Sequence, residues 1–197
     1  MTFNPRDHYF RKAKEQNFAA RSVFKLEEID QKFKFFKSGQ TVLDLGASPG
    51  SWSQYASQKV GGSGRILGVD LSPVTVKLKN ATFLQADLRD LNLEDVFKEH
   101  GFQPPFDIVM SDMAPKTTGI RGTDQARSLE LCELALNIAI RFLKPKGNFT
   151  VKMFHSEDFG QFRDQMKKVF DRVEAIKPDS TRKISKEIFL VGLNKKG

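Results

Sequence analysis

Residues 41–52 read Thr41-Val42-Leu43-Asp44-Leu45-Gly46-Ala47-Ser48-Pro49-Gly50-Ser51-Trp52. Thr41–Leu45 has the β-branched and apolar character of a buried strand. A glycine-rich turn follows, and then a helix is expected from about Ser51 to Lys59. Gly46 and Gly50 permit tight backbone turns and close approach by a ligand. The turn differs from the G-x-G-x-x-G of dinucleotide enzymes, whose third glycine and helix N-terminus embrace a pyrophosphate. Asp44, at the strand end, would repel phosphates and suits a cationic ligand.

Working outward, strands and helices alternate. Strands are expected at Arg65–Val69, Thr82–Gln85, Phe106–Ser111, Asn148–Met153, Asp171–Lys177 and Ile188–Leu193. Helices are expected at Leu93–His100, Asp124–Leu143 and Asp158–Phe170. The Asp124–Leu143 helix carries Leu129, Cys132, Leu136, Ala139, Ile140 and Leu143 on one stripe, with Pro145 and Gly147 to end it. Upstream, Val23, Leu26, Ile29 and Phe33 recur at helical spacing between Ala19 and Phe36, with Gly39 as the stop. This alternation predicts an α/β fold, Rossmann-like, with a mostly parallel doubly wound sheet covered by helices on both faces. Ligands in such sheets bind outside the carboxyl ends of the strands, at the switch in strand order.

Two further acids end strands on that side. Asp70, in Gly68-Val69-Asp70-Leu71, can accept from both ribose hydroxyls of an adenosine, which suits S-adenosylmethionine and NAD equally. Asp87, in Gln85-Ala86-Asp87-Leu88, is placed to meet an adenine amino group. A cation-compatible turn without a phosphate-binding glycine pattern favours S-adenosylmethionine. The expected cofactor contacts are Asp44, Gly46, Gly50, Trp52, Asp70 and Asp87.

The 197 residues suit a basic N-terminal arm (1–17) and a single domain (18–197). Residues 1–17 are expected to be loosely ordered. Residues 1–40 hold nine Lys/Arg against five Asp/Glu, residues 41–140 nine against twelve, and residues 141–197 fourteen against seven. Basic ends around a slightly acidic middle suit a polyanion such as RNA, because cations displace condensed counterions from phosphates. Arg11, Lys12, Lys14, Arg21, Arg182, Lys183 and Lys186 are the candidate RNA contacts. Phe18 and Phe24 fit the core of an amphipathic helix better than a base-stacking platform. One cysteine, Cys132, reads as a small apolar filler and forms no internal disulfide. No apolar run approaches the roughly 20 residues of a membrane span, and no secretory signal opens the chain. A cytoplasmic monomer is expected.

Four segments remain: Arg21-Ser22-Val23-Phe24-Lys25-Leu26, Ser111-Asp112-Met113-Ala114-Pro115, Val151-Lys152-Met153-Phe154 and Ser185-Lys186-Glu187-Ile188. A lysine finishing an apolar strand, as Lys152 does, is costly to bury without a partner. With the 45–54 turn and Lys177-Pro178-Asp179-Ser180, these segments resemble the FtsJ-like (RrmJ-type) ribose 2′-O-methyltransferases from about Arg21 to Leu193. The resemblance implies a seven-stranded sheet with its last strand antiparallel. It also implies a catalytic tetrad of Lys25, Asp112, Lys152 and Glu187, with Asp112 also beside the cofactor, S-adenosylmethionine. The acceptor it implies is a uridine ribose in large-subunit (23S) ribosomal RNA, within the large ribosomal subunit.

Ser48 and Ser51 depart from the family pattern, which has Ala and Gly there; Ser51 could add a cap to its helix. A ribose 2′-hydroxyl is a poor nucleophile near neutral pH and needs a base or strong orientation, whereas a sulfonium methyl is already activated and needs no metal. Lys152 is the candidate base. A lysine accepts a proton only in its neutral form, which burial and a neighbouring cation such as Lys25 promote and carboxylates oppose. Asp112 and Glu187 therefore suit orientation of the lysines and hydroxyl. Other readings are a relative acting on transfer RNA or the messenger cap, a nicotinamide-dependent oxidoreductase, and a non-catalytic RNA-binding or ribosome-assembly module.

Overall fold

The computed structural model describes residues 8–182 and 184–197. At its centre is a seven-stranded sheet in the order β3-β2-β1-β4-β5-β7-β6. β1 (Thr41–Leu45), β2 (Arg65–Asp70), β3 (Ala81–Gln85), β4 (Phe106–Ser111) and β5 (Leu143–Phe154) run parallel. β7 (Glu187–Lys195) lies antiparallel between β5 and β6 (Phe170–Ile176). The order reverses between β1 and β4, the switch point at which a ligand is expected.

Side-chain alternation sorts the sheet residues onto two faces. Val42, Ile66, Ile108, Met110, Phe189 and Val191 pack with α2 (Val23–Phe33) and α3 (Ser51–Val60). Leu43, Leu45, Leu67, Val69, Val109, Val151 and Met153 pack with α4 (Leu93–Glu99), α5 (Arg121–Phe142) and α6 (Phe159–Val169). Phe24 is buried against Phe18 and belongs to the core, as its helical spacing indicates. Cys132 is buried as well, and burial pushes its thiol up to about 12. Among the described residues no helix is long and apolar enough to cross a membrane.

Three departures from expectation have a clear local reason. Within the expected arm, His8–Glu15 form a helix, α1, whose Ala13 is buried with the α2 core. α2 stops at Lys34, not Gly39, because Lys34 turns left-handed (φ 53°) and returns its N–H to Asp30 O. α5 ends at Phe142, before Pro145, and the chain enters β5 at once. Leu143 pairs with Phe106 and the ladder resumes only at Ile108 and Asn148. Pro145, which lacks a ladder donor, falls in that irregular gap, where such a residue is tolerated. Residues 177–186 connect β6 to β7.

Candidate active site and acceptor cleft

Strand register assembles the site. Leu45 pairs with Ser111, and Ser111 with Val151. The next residues, Gly46, Asp112 and Lys152, therefore sit side by side at the carboxyl ends of β1, β4 and β5. β7 runs the other way and so starts at that same end, with Glu187 opposite Phe154 and Phe189 opposite Lys152. Lys152 alternates with Val151 and Met153, which pack toward α5 and α6, so its side chain turns to the α2 face. Glu187, two residues before Phe189, is on that face too, a diagonal neighbour within reach of a long side chain. Lys25 comes down from α2 to meet them.

The four tetrad residues meet as two ion pairs. Lys25 Nζ donates to Glu187 Oε2 at 2.6 Å. Lys152 Nζ lies 2.9 Å from Asp112 Oδ1 and donates to the Asp112 carbonyl at 2.6 Å. Only 7% of the Lys152 side chain is exposed, so leaving it without a partner would be costly. Burial alone would raise the Glu187 carboxyl. The charges of Lys25 and Lys152, with hydrogen bonds from Lys25 and Ser185, outweigh that and hold it below the usual range. Behind Lys152, the Cys132 thiol donates to its carbonyl at 3.2 Å.

A cleft of about 680 Å³ opens over the ends of β1, β2, β3 and β4, lined by Gly46, Ser48, Asp70, Asp87, Asp112 and Met113 with one side of α5. That size suits a nucleoside ligand. Gly46 has φ +81°, and a Cβ there would stand 2.7 Å from Met113 Cγ and 2.9 Å from Met113 N, so the turn closes only around glycine. Asp70 accepts Ser48 N at 2.9 Å and Ser72 N at 2.7 Å, which fixes its carboxylate while leaving lone pairs for ribose hydroxyls.

Asp87 is held at the rim by Arg89, whose Nε and backbone N reach Oδ1 at 2.9 and 3.0 Å. Those hydrogen bonds lower its carboxyl to about 2. An adenine amino group there would share a carboxylate already engaged.

Asp44 and Trp52 need correction. Asp44 is fully buried on the α3 side and does not line the cleft. Its Oδ2 accepts Ser53 Oγ at 2.6 Å, and Oδ1 has no hydrogen-bond partner. Desolvation, only partly relieved by Ser53, raises its carboxyl to about 7. The Trp52 indole is likewise turned into the core. It donates to Ser22 O at 2.9 Å and packs on Phe189, so only its main chain, in the first turn of α3, is left for a ligand. Gly50 (φ +115°) faces Val76, not open space. Ser51 gives no cap; its hydroxyl meets Ser22 Oγ at 2.9 Å and ties α3 to α2.

S-adenosylmethionine fits this donor set. Asp44 Oδ1 is a buried carboxylate oxygen without a hydrogen-bond donor, behind a cleft that also carries Asp70, Asp87 and Asp112. A cationic ligand suits such surroundings; a pyrophosphate does not.

A second cleft, of about 590 Å³, is lined by Lys25 and Glu187 together with Arg21, Arg121, Arg182 and Lys186. Three expected RNA contacts, Arg21, Arg182 and Lys186, are therefore gathered beside the Lys25–Glu187 pair. Burial and the nearby Arg182 charge lower the Arg21 guanidinium from its ordinary value, a mark of crowded cations. Arg11 and Lys14 are exposed on α1, outside this cleft. Lys12 lies over the Phe24 ring at 4.3 Å and 3.9 Å from Glu27, which makes it partly a packing residue. Lys183 falls outside the described residues.

Arg121, Ser22, Gln125 and Ile184 line this cleft without having been singled out from sequence. Arg121 was legible only by starting α5 three residues earlier. Asp124, taken for the helix start, accepts Thr118 N at 2.7 Å and Gly119 N at 3.2 Å and holds the preceding loop.

Known proteins resemble this chain in sequence and in fold. The FtsJ-like methyltransferase family model matches residues 18–195. A ribosomal RNA large subunit methyltransferase E of Bdellovibrio bacteriovorus is 82% identical over 196 residues, covering 100% of each chain. One from Desulfatibacillum aliphaticivorans is 50% identical, covering 98% of this chain and 92% of its own. Among solved structures, a Plasmodium falciparum protein named as a ribosomal RNA methyltransferase gives a TM-score of 0.77 at 26% identity, over 91% of this chain and 100% of that one. Aeropyrum pernix fibrillarin, solved with S-adenosyl-L-methionine, gives 0.59 at 17% identity, over 80% and 67%, a likeness of fold. The chain belongs to the FtsJ-like methyltransferase family.

Proposed function

We propose that this protein transfers the methyl group of S-adenosylmethionine to the ribose 2′-hydroxyl of a uridine in large-subunit ribosomal RNA. One observation carries the reading. An acid-lined cleft and a cationic cleft adjoin, and the Asp112–Lys152 pair links the first to the Lys25–Glu187 pair in the second. The names of the curated relatives support ribosomal RNA of the large subunit as the acceptor.

When bound, S-adenosylmethionine supplies a methyl already activated on a sulfonium, held by Asp70 at the ribose with Gly46 at the turn. Arg21, Arg121, Arg182 and Lys186 hold the RNA backbone. Lys25 and Glu187, locked to each other, orient the acceptor ribose. Lys152, in its neutral form, accepts the hydroxyl proton as the methyl passes from sulfur to the ribose oxygen, and Asp112 fixes the lysine in position. Proximity contributes as well, since both reactants are held at the same end of the sheet.

Radiolabelled methyl transfer to large-subunit particles, naked large-subunit RNA and transfer RNA tests the reading. Label in the ribosomal substrates and not in transfer RNA is expected. Label confined to transfer RNA, or to none of the three, would overturn it.

A further inference from the structure

Arg21, Lys25 and Glu28 stand at positions i, i+4 and i+7, one stripe along α2 and the turn that leads into it. All three grip the segment 179–187. Glu28 accepts Asp179 N on Oε2 at 2.6 Å and Ser180 N on Oε1 at 3.0 Å. Arg21 Nη2 donates to Ser180 O, and the Arg21 guanidinium lies over the Tyr9 ring at 5.4 Å. Lys25 holds Glu187 at the other end. Ser180 and Thr181 are buried, so the strap is pressed into the body of the protein at its first anchor. Between the anchors it carries Arg182, Ile184, Ser185 and Lys186, which all line the acceptor cleft.

A carboxylate suits the first anchor. It offers one oxygen to each of two successive N–H groups, charge-assisted at both. Glutamine offers a single acceptor oxygen and would leave one strap amide facing an amino group. Glu28 lines neither cleft.

We propose that Glu28 is a positioning residue for the RNA acceptor: by clasping Asp179 and Ser180 to α2 it sets Arg182 and Lys186 over the acceptor cleft, in register with the Lys25–Glu187 pair. The proposal rests on the RNA reading above. It assigns to α2 a second duty, as the bed on which the basic strap is laid.

A double-mutant cycle in the full chain tests this, with Glu28→Gln, Arg182→Ala and the pair, read as methyl transfer across a range of large-subunit RNA concentrations. Each single change raises the RNA KM about tenfold, as one lost hydrogen bond or phosphate contact would. The pair is little worse than Arg182→Ala alone, because an unclasped strap has already lost its cation. Cofactor affinity, by calorimetric titration, is unchanged in all three. Losses that multiply in the pair, or an equal fall in cofactor affinity, would overturn the proposal. Should Glu28→Gln unfold at assay temperature, Glu28→Asp reads the same cycle, since it keeps the charge and withdraws the carboxylate by one methylene. A wild-type protein that methylates no RNA overturns the functional reading and this inference with it. An active wild type with multiplicative losses overturns the inference alone.

Discussion

Lys152 Nζ lies 2.9 Å from Asp112 Oδ1 and donates to the carbonyl of the same residue at 2.6 Å, so a single acidic residue meets the buried lysine twice. The Oδ1 atom is itself buried, so the ion pair is shielded from water. Asp112 also lines the acid-lined cleft over β1–β4, whereas Lys152 does not. That asymmetry separates the two residues experimentally.

Lys152→Ala should abolish methyl transfer, by about a hundredfold or more if the lysine acts as general base, while leaving cofactor affinity within error. Asp112→Ala should damage both, since it removes a cleft wall and leaves buried Lys152 without its counter-charge, only the main-chain carbonyl remaining. Single-turnover rates and calorimetric titration of each variant check the split. An active Lys152→Ala protein would remove that residue from the mechanism.

Asp44 predicts a pH dependence. Its folded carboxyl is raised to about 7 by burial, above the ordinary value of 3.8. Between those values the folded state binds more protons than the unfolded one, so stability falls as pH rises from about 4 to about 7. Asp44→Asn keeps an acceptor for Ser53 and removes the titration. It should gain stability relative to the wild type across that window, by on the order of a few kcal/mol. Cofactor affinity should move the other way: ionised Asp44 favours a cation, so the wild type gains on Asp44→Asn between about pH 6 and pH 8. Melting curves and titrations at several pH values read both trends, and parallel pH profiles for the two proteins would contradict them.

Gly46→Ala places a methyl 2.7 Å from Met113 Cγ and 2.9 Å from Met113 N, at φ +81°. Backbone has to shift where the β1 turn meets the β4 turn. A stability loss of about 1–3 kcal/mol is expected from strain and overpacking, with weaker cofactor binding. Denaturant midpoints and titration measure the two effects, and Gly62→Ala, with nothing within 4 Å, serves as the control.

RNA affinity should fall steeply with salt. Arg182→Ala, Lys186→Ala or Arg121→Ala should each reduce the slope of log affinity against log salt by about one. Arg11→Ala, outside the acceptor cleft, should change it less. Affinity nearly independent of salt would contradict the electrostatic role of these residues.

Much of this molecule is legible in its sequence because parallel strands covered on both faces must be apolar runs, and those at 41–45, 65–70 and 106–111 stand out. The tetrad residues are legible through resemblance, whereas their pairing follows from register: Asp112 meets Lys152 because β4 and β5 run in step. What eluded the sequence depends on which face a side chain takes. Asp44 alternates onto the α3 side and is buried with Ser53, and the Trp52 indole turns to Ser22 and Phe189. The strap on α2 joins residues about 150 positions apart, Glu28 to Asp179, and no local pattern announces such a contact.

The central claim, a methyl placed on a ribose oxygen, is tested most directly by identifying the methylated nucleoside. Large-subunit RNA from cells lacking this protein, incubated with the purified enzyme and S-adenosylmethionine and then digested to nucleosides, should yield 2′-O-methyluridine at one position, absent with Lys152→Ala. A methyl found on a base, or no new methyl on that RNA, would contradict the account.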